Sequence, residues 1–210
     1  MTTVQIPGAE QRFLLRGIDW QTYQTLREAP ENDHVRMTYD RGDLEMMTPS
    51  APHEQYAHLI GRMIDVWTDD REINIRGCRS TTFRREDLDR GFEPDNCYYI
   101  QHEPVVRKKS ELDLSIDPPP DLAVEIEITR PAMDKLALYA SFGVPEVWRF
   151  DGRSLRIFAL VPEGRYEEMS SSRCLPGFPL AEAVAVLGKV NTESETALVR
   201  AFRKRVKRPS

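Results

Sequence analysis

The sequence predicts an α/β fold in a single domain. Hydrophobic, β-branched runs typical of strands alternate with stretches whose apolar residues recur at helical spacing. The clearest unit is a strand, a helix and a strand, which read "DLAVEIEIT", "RPAMDKLALYASFG" and "VPEVWRFD". A chain of 210 residues is long enough to bury one sizeable core. We expect a flexible N-terminal segment over residues 1–14, the domain over 15–190, and a C-terminal helix with a basic tail over 191–210.

Composition excludes several classes of protein. Apolar residues make up 40% and charged residues 30%, which is normal for a globular domain. The polar N-terminus lacks the apolar core of a signal peptide, and no apolar run approaches the roughly 20 residues of a membrane helix. We therefore expect a cytoplasmic protein with no membrane partner. Three cysteines without zinc-site or disulfide-framework spacing are expected to be small core residues.

The charge pattern argues against a surface that coats nucleic acid. The net charge is −5, although a local basic face beside an acidic metal site is compatible with that total. Six basic residues lie between Arg200 and Arg208. They indicate either a solubilising helix end or a contact with phosphate.

Three elements are predicted in the first third of the chain. "IDWQTYQTLREA" is typical of a short helix with Asp19 as its N-cap. "VRMTYDRGDLEMMT" predicts a hairpin at a sheet edge, with its turn near Arg41 and Gly42. Apolar residues at helical spacing predict a helix from Pro52 to about residue 70. His53, at its start, is either an ordinary polar residue of the first turn or a neighbour of the active site.

The remaining elements follow from alternation and from turn residues. Residues 73–83 predict one or two strands, residues 84–91 a loop, "DNCYYI" a strand, and residues 101–120 an irregular connection. After the strand-helix-strand unit, the predicted elements are a strand at "SLRIFAL" that completes a hairpin, a weaker strand at "GRYEEMS", and helices at "FPLAEAVAVLG" and 191–205.

Two acids interrupt the most hydrophobic strand. Alternation places Glu125 and Glu127 on one strand face about 7 Å apart, with Val124, Ile126 and Ile128 on the other. Neighbouring carboxylates repel each other, and a divalent metal ion would remove that conflict. Solvent-facing glutamates on an edge strand are the alternative explanation.

Asp95 and Lys135 extend this pattern towards a metal site. Asp95 begins another strand and could complete an oxygen-rich site for Mg²⁺ or Mn²⁺. Lys135 lies one short helix beyond Glu127, where its ammonium could orient or deprotonate a metal-bound water or stabilise charge on a phosphate. A surface lysine on an exposed helix face is the alternative.

Several segments together resemble the Uma-two family of the PD-(D/E)XK, or restriction-endonuclease-like, superfamily. They are "GFEPDNCYYI", "PPPDLAVEIEIT", "DKLALYASFGVPEVWRFD", and the family's N-terminal hairpin and helix in "YDRGDLEMMTPSAPHEQYAHLI". The resemblance covers approximately residues 15–190. It implies a restriction-endonuclease-like α/β core, with a central mixed β-sheet flanked by helices.

The resemblance also implies roles for individual residues. Asp95 is similar to the first acid and Glu125 to the second, which together would hold the metal. Lys135 resembles the lysine that the family carries on the following helix. Position 127, where the superfamily usually has lysine, is glutamate, so Glu127 is expected either to bind metal or to act as a base.

Three further residues are weaker candidates for the site. Glu45 and His53 are similar to family residues that approach the acids. Asp121, which also follows a proline, is the alternate candidate for the first acid.

The resemblance implies a Mg²⁺-dependent endonuclease acting on DNA. Basic residues of the middle segment would reach the substrate, or they are ordinary surface charge; they are Arg76, Arg79, Arg84 and Arg85. A homodimer is one implied assembly, because nucleases that cut both DNA strands often act as dimers. The first alternative is a non-catalytic module that binds nucleic acid or protein on a nuclease fold. The second is a homodimeric structural protein with Trp148 and Phe150 at its interface, although such residues are more often core.

Overall fold

The computed structural model describes residues 10–207. The strands in this range are β1 (Gln11–Arg16), β2 (Arg36–Asp40), β3 (Asp43–Thr48), β4 (Arg76–Gly77), β5 (Phe83–Arg85), β6 (Arg90–Phe92), β7 (Asn96–Tyr99), β8 (Leu122–Ile126), β9 (Glu146–Phe150), β10 (Leu155–Leu160) and β11 (Tyr166–Met169). The helices are α1 (Trp20–Glu28), α2 (Ala51–Arg71), α3 (Glu103–Val106), α4 (Lys135–Ser141), α5 (Leu180–Leu187) and α6 (Glu195–Val206).

A six-stranded mixed sheet forms the centre of the domain, in the order β11-β10-β9-β8-β7-β4. Strands β8 and β9 pair in parallel, and the other neighbours pair antiparallel. The parallel pair is connected through α4, since parallel neighbours need a crossover. A mixed sheet flanked by helices confirms the predicted fold class.

A second, antiparallel sheet has the order β1-β3-β2-β6-β5. Its β2–β3 hairpin confirms the prediction, and both Arg41 and Gly42 in the turn have positive φ, as a tight hairpin of this kind requires. The predicted edge position of the hairpin is wrong, because β1 pairs outside β3 and β6 pairs with β2.

Three strands of this sheet were not predicted as such. Strand β1 begins at Gln11, inside the segment expected to be flexible, and its six residues include none that is buried. Strand β6 and most of β5 occupy residues expected to form a loop. Short strands stabilised by pairing with distant residues carry little pattern of their own. Residues 1–9 and 208–210 lie outside the described residues.

The predicted helices form with the caps that the sequence provides. The side chain of Asp19 accepts a hydrogen bond from the amide of Thr22 at 2.8 Å at the start of α1. Ser50 does the same for the amide of His53 at 3.3 Å at the start of α2. The connection over residues 101–120 is irregular as predicted, apart from the short α3.

Strand β8 presents different residues to its two faces. Leu122, Val124 and Ile126 pack in one core with α2, α5 and α6. Ala123 faces a second core that includes Leu138 and other residues of α4. Glu125 lies on this second face, as the alternation predicted.

Trp148 and Phe150 are fully buried in the first core, so they are core residues and do not form a dimer interface. All three cysteines are free thiols; Cys97 and Cys174 are buried as predicted, and Cys78 is half-buried. Of the helices between residues 10 and 207, none combines the length and apolar character needed to cross a membrane.

Candidate active site

Asp95 lies immediately before β7, where the chain enters the central sheet. Its side chain is buried, and Oδ2 accepts a hydrogen bond from the amide of Ile126 at 2.7 Å. His53 Nε2 lies 3.1 Å from the same oxygen. The other oxygen, Oδ1, is buried and has no hydrogen-bond partner among residues 10–207. Asp95 therefore links β7 to the end of β8 while keeping one carboxylate oxygen open.

The environment of Asp95 favours its charged form. Burial by itself would raise the pKa of this carboxyl, but the hydrogen bond and charge of His53, together with Lys135, outweigh burial and hold the pKa below its usual range. Burial would likewise lower the pKa of His53, yet Asp95 and Glu10 raise it. An ionised Asp95 is suited to binding a cation.

Glu125 lies on the face of β8 that contacts α4. Its Oε2 accepts from Lys135 Nζ at 2.7 Å, and its Oε1 accepts a hydrogen bond from the hydroxyl of Tyr139. Asp134 caps α4 by accepting from the amide of Leu136 at 3.2 Å. Residues four apart share a helix face, so this helix presents Lys135 and Tyr139 together to Glu125.

Charge is retained on Lys135 despite its burial. Burial alone would lower the pKa of its ammonium, but the carboxylates of Glu125 and Asp95 outweigh that effect and raise it. Burial, with the nearby charge of Asp95, raises the pKa of Glu125. A lysine held in the charged form is suited to stabilising negative charge and poorly suited to accepting a proton.

Glu127 has a different environment from Glu125. It follows the last residue of β8, is partly exposed, and accepts from Arg149 Nε at 2.7 Å. Arg149 lies on β9 directly opposite Glu125 in the parallel register. The structure thus brings Asp95, Glu125 and Lys135 together and pairs Glu127 with an arginine beside them.

The carboxylate of Glu45 anchors the segment between β8 and α4. One oxygen accepts from the amides of Ala132 at 2.6 Å and Met133 at 3.0 Å, and the other accepts from Arg12 Nη1 at 2.8 Å. Its charge also contributes to raising the pKa of Lys135, after the larger effects of Glu125 and Asp95. Glu45 therefore borders the site and fixes the loop that leads into Lys135.

Asp121 occupies the opposite end of β8 from the site. It accepts hydrogen bonds from the amides of Ile100 at 2.7 Å and His102 at 2.9 Å. Four residues of strand separate it from Glu125, or about 13 Å at the usual rise. The structure gives Asp121 a role in holding the turn after β7.

The family model described as "Putative restriction endonuclease" (Uma2) matches residues 20–187. The chain belongs to this family. A solved structure from Anabaena variabilis, described as a putative nuclease belonging to DUF820, is similar with a TM-score of 0.51 and 15% identity. The similarity covers 88% of this chain and 99% of that one, and at such identity it supports the fold alone. None of the curated proteins matches the chain.

The Uma2 assignment makes the chain a member of a restriction-endonuclease-like nuclease family with the matching fold. Strand β1 precedes the matched residues. Two residues at its start that sequence reasoning missed, Glu10 and Arg12, nevertheless reach the site. Glu10 Oε1 lies 3.9 Å from His53 Nε2, and Arg12 contacts Glu45. No local pattern marks them, because the pairing of β1 with β3 brings them there.

Tyr139 was also missed as a site residue of this Uma2 protein. Its position four residues after Lys135 on a predicted helix was a usable signal, since it places both side chains on one face. Its hydroxyl donates to Glu125 from a fully buried position.

A divalent cation is the group that the Uma2 resemblance implies for this site. Within residues 10–207, no group of three or more His, Cys, Asp or Glu side chains is arranged to hold a metal ion by itself. Mg²⁺ usually takes one or two carboxylates and completes its shell with water and substrate phosphate. Asp95, with its open buried oxygen, and Glu125 provide that minimal donor set. The residues therefore fit Mg²⁺ or Mn²⁺.

Proposed function

We propose that this Uma2 protein is a Mg²⁺-dependent endonuclease that hydrolyses phosphodiester bonds of DNA through a PD-(D/E)XK-like site. The observation that carries the proposal is the convergence of Asp95, Glu125 and Lys135 from separate segments into one buried cluster. Burying two acids and a lysine is costly for stability, so a functional reason for the cluster is favoured.

Asp95 and Glu125 would hold the metal, either Mg²⁺ or Mn²⁺. A bound ion supplies Lewis-acid polarisation of the phosphate and lowers the pKa of a coordinated water. Glu125 has both oxygens engaged by Lys135 and Tyr139, so those contacts would position its carboxylate. The backbone amide of Ile126 does the same for Asp95.

Lys135 would stabilise negative charge that develops on the phosphate. Burial alone would lower the pKa of Lys135, but the carboxylates of Glu125 and Asp95 outweigh burial and raise it, so Lys135 stays an ammonium. Of the roles that the sequence left open for Lys135, we therefore propose electrostatic stabilisation of the phosphate rather than deprotonation of a metal-bound water. We place the activity in the cytoplasm, where thiols stay reduced. A homodimer remains an expectation.

A cleft of about 250 Å³ supports access of DNA to Asp95. Three arginines contribute to its lining: Arg36 on β2, Arg62 on α2 and Arg79 in the loop after β4. Of the four arginines expected to contact DNA, Arg79 lines this cleft. The others have partners elsewhere: Arg76 donates to the carbonyl of Val106, Arg84 to Glu28 and Arg85 to Asp87.

Replacing Arg62 by Gln is expected to weaken DNA binding uniformly across sequences. Each lost phosphate contact lowers the slope of log affinity against log salt by about 1. Arg62 lies on the helix α2 and its nearest ion pair, with Glu195, is 4.0 Å long, so the fold should tolerate the change. Fluorescence anisotropy with labelled DNA over a salt series measures it. The control is Arg156→Gln, because Arg156 is an exposed residue of β10 that pairs with Glu168. An equal loss of DNA affinity in both variants would mean that the cleft is not the DNA-binding site.

Replacing Glu127 by Gln is expected to lower the cleavage rate less than about tenfold, because its carboxylate is paired with Arg149 and a partly exposed ion pair contributes little. Single-turnover cleavage kinetics would show this. A loss as large as that of a Glu125→Gln variant would instead make Glu127 a metal ligand or a base.

The test of the proposed function is cleavage of supercoiled and linear DNA at low salt with Mg²⁺, Mn²⁺ or EDTA. We expect cleavage with either metal and none with EDTA. Absence of cleavage, or cleavage equal to that of variants lacking Asp95, Glu125 or Lys135, would favour the non-catalytic binding module.

A further inference from the structure

The carboxylate of Glu10 is buried in the active site with fewer partners than it can use. Its side chain is 0% exposed. Oε2 accepts from the hydroxyl of Thr129 and lies 3.4 Å from Arg12 Nη2. Oε1 has no hydrogen-bond partner in the described part of the chain. Burial of an incompletely paired carboxylate costs free energy, so stability does not explain this position.

The groups around Glu10 form a site for an anion. Arg12 and Thr129 present donors, and His53 Nε2 lies 3.9 Å from Oε1. Arg12 is held independently of Glu10, because it donates to Glu45 at 2.8 Å and to Thr129 at 3.1 Å. A phosphodiester, like a carboxylate, carries one negative charge shared by two free oxygens, and guanidinium and hydroxyl donors suit it.

This anion site adjoins the proposed metal ligands, which are themselves covered. The same nitrogen of His53, Nε2, lies 3.1 Å from Asp95 Oδ2. Asp95, Glu125 and Lys135 are 7%, 2% and 5% exposed, so a phosphodiester strand cannot reach all three without a rearrangement.

The start of β1 is the segment best suited to move. Among the described strands, β1 is at a sheet edge and pairs only with β3. None of its residues is buried, and Phe13 and Leu15 are exposed. Fraying its first residues exposes little apolar surface, and segments with few buried contacts open at low free-energy cost.

We propose that Glu10 is an internal stand-in for a phosphate of the nucleic-acid substrate. Its carboxylate fills the anion site of Arg12, Thr129 and His53 in the free protein. Bound substrate displaces it by moving residues 10 and 11 away, while Arg12 stays held by Glu45 and Thr129. This inference rests on the proposed nuclease function. Glu10, which precedes the residues that match the family, would compete with the substrate. The free protein, with Glu10 in the anion site, would therefore inhibit itself.

The first test is the affinity of the Glu10→Gln variant for a short fluorescein-labelled DNA duplex, measured by anisotropy in EDTA at low salt. Loss of the competing charge is expected to tighten binding about tenfold. Glu31→Gln makes the same charge change at an exposed residue and is expected to leave binding unchanged. Affinity of Glu10→Gln equal to or weaker than wild type would overturn the proposal.

The second test uses wild-type protein, so it does not depend on how a variant folds. Amide hydrogen exchange at residues 10 and 11 is expected to rise when DNA is added in EDTA, and unchanged protection there would contradict displacement. Inorganic phosphate is the comparison probe; the same rise with phosphate alone would assign the site to the free ion and overturn the role of a strand phosphate.

Failure of this inference is distinguishable from failure of the proposed function. If wild type cleaves DNA but neither the Glu10 variant nor β1 responds, the inference alone is wrong. If wild type does not cleave DNA while Glu10→Gln binds it more tightly, nuclease activity is wrong and displacement of Glu10 by nucleic acid is retained.

Discussion

The Asp95→Asn variant is expected to lose metal-dependent DNA cleavage by about two to three orders of magnitude. The substitution removes the charge of the carboxylate whose Oδ1 is buried and open. The amide oxygen of the new side chain can still accept from the amide of Ile126, so the link between β7 and β8 is retained. Steady-state cleavage and thermal unfolding of the same preparation separate lost chemistry from lost fold.

Metal binding provides a second readout for Asp95 that needs no substrate. Metal at 100 times its dissociation constant stabilises the folded state by about 2.7 kcal/mol. We expect Mn²⁺ to raise the melting temperature of wild type and not that of Asp95→Asn. Equal stabilisation of both proteins would show that Asp95 is not a ligand.

Asp121→Asn is the matched control, because Asp121 is also buried, follows a proline and accepts from backbone amides. It is expected to lower stability without lowering the cleavage rate of the folded protein. A variant of Asp121 that is inactive while Asp95→Asn is active would reverse the assignment of the first acid.

Replacing Lys135 by Met is expected to destabilise the fold by about 3–5 kcal/mol, because it leaves the buried carboxylate of Glu125 without its cation. The two groups are 2.7 Å apart, and their side chains are 6% and 3% exposed. Urea unfolding monitored by tryptophan fluorescence measures the loss. Cleavage should be lost as well, since Lys135 is the proposed source of positive charge at the phosphate.

A double-mutant cycle isolates the pair from its surroundings. Combining Lys135→Met with Glu125→Gln should cost less than the sum of the single changes, with a coupling of about 1–3 kcal/mol. Lys189→Met is the control, because Lys189 forms an exposed pair with Glu193 and should change stability little. Additive effects of Lys135→Met and Glu125→Gln would mean that the buried ion pair does not form in solution.

Local patterns were sufficient for most elements and for part of the site. Alternation along β8 separated Val124 and Ile126 from Glu125, and that separation holds because a strand's side chains alternate whatever surrounds them. Helical spacing located α4, which presents Lys135.

Pairing between distant segments decided what the local patterns could not. Alternation predicts Glu127 on the same strand face as Glu125, yet β8 ends at Ile126, and the parallel register with β9 provides Arg149 as the partner of Glu127. Asp95 and Asp121 both follow proline, and only the direction of β8 places one beside Glu125 and the other at its far end.

By itself, the sequence determined the α/β class, the strand that carries Glu125 and the helix that carries Lys135, because these depend on side-chain periodicity within a few residues. Tertiary structure alone decided that Glu10 and Arg12 reach the site. Their position follows from the edge pairing of β1 with β3 and from contact with Thr129, which is 119 residues from Glu10 along the chain. Such contacts depend on how whole sheets pack, and no local periodicity encodes them.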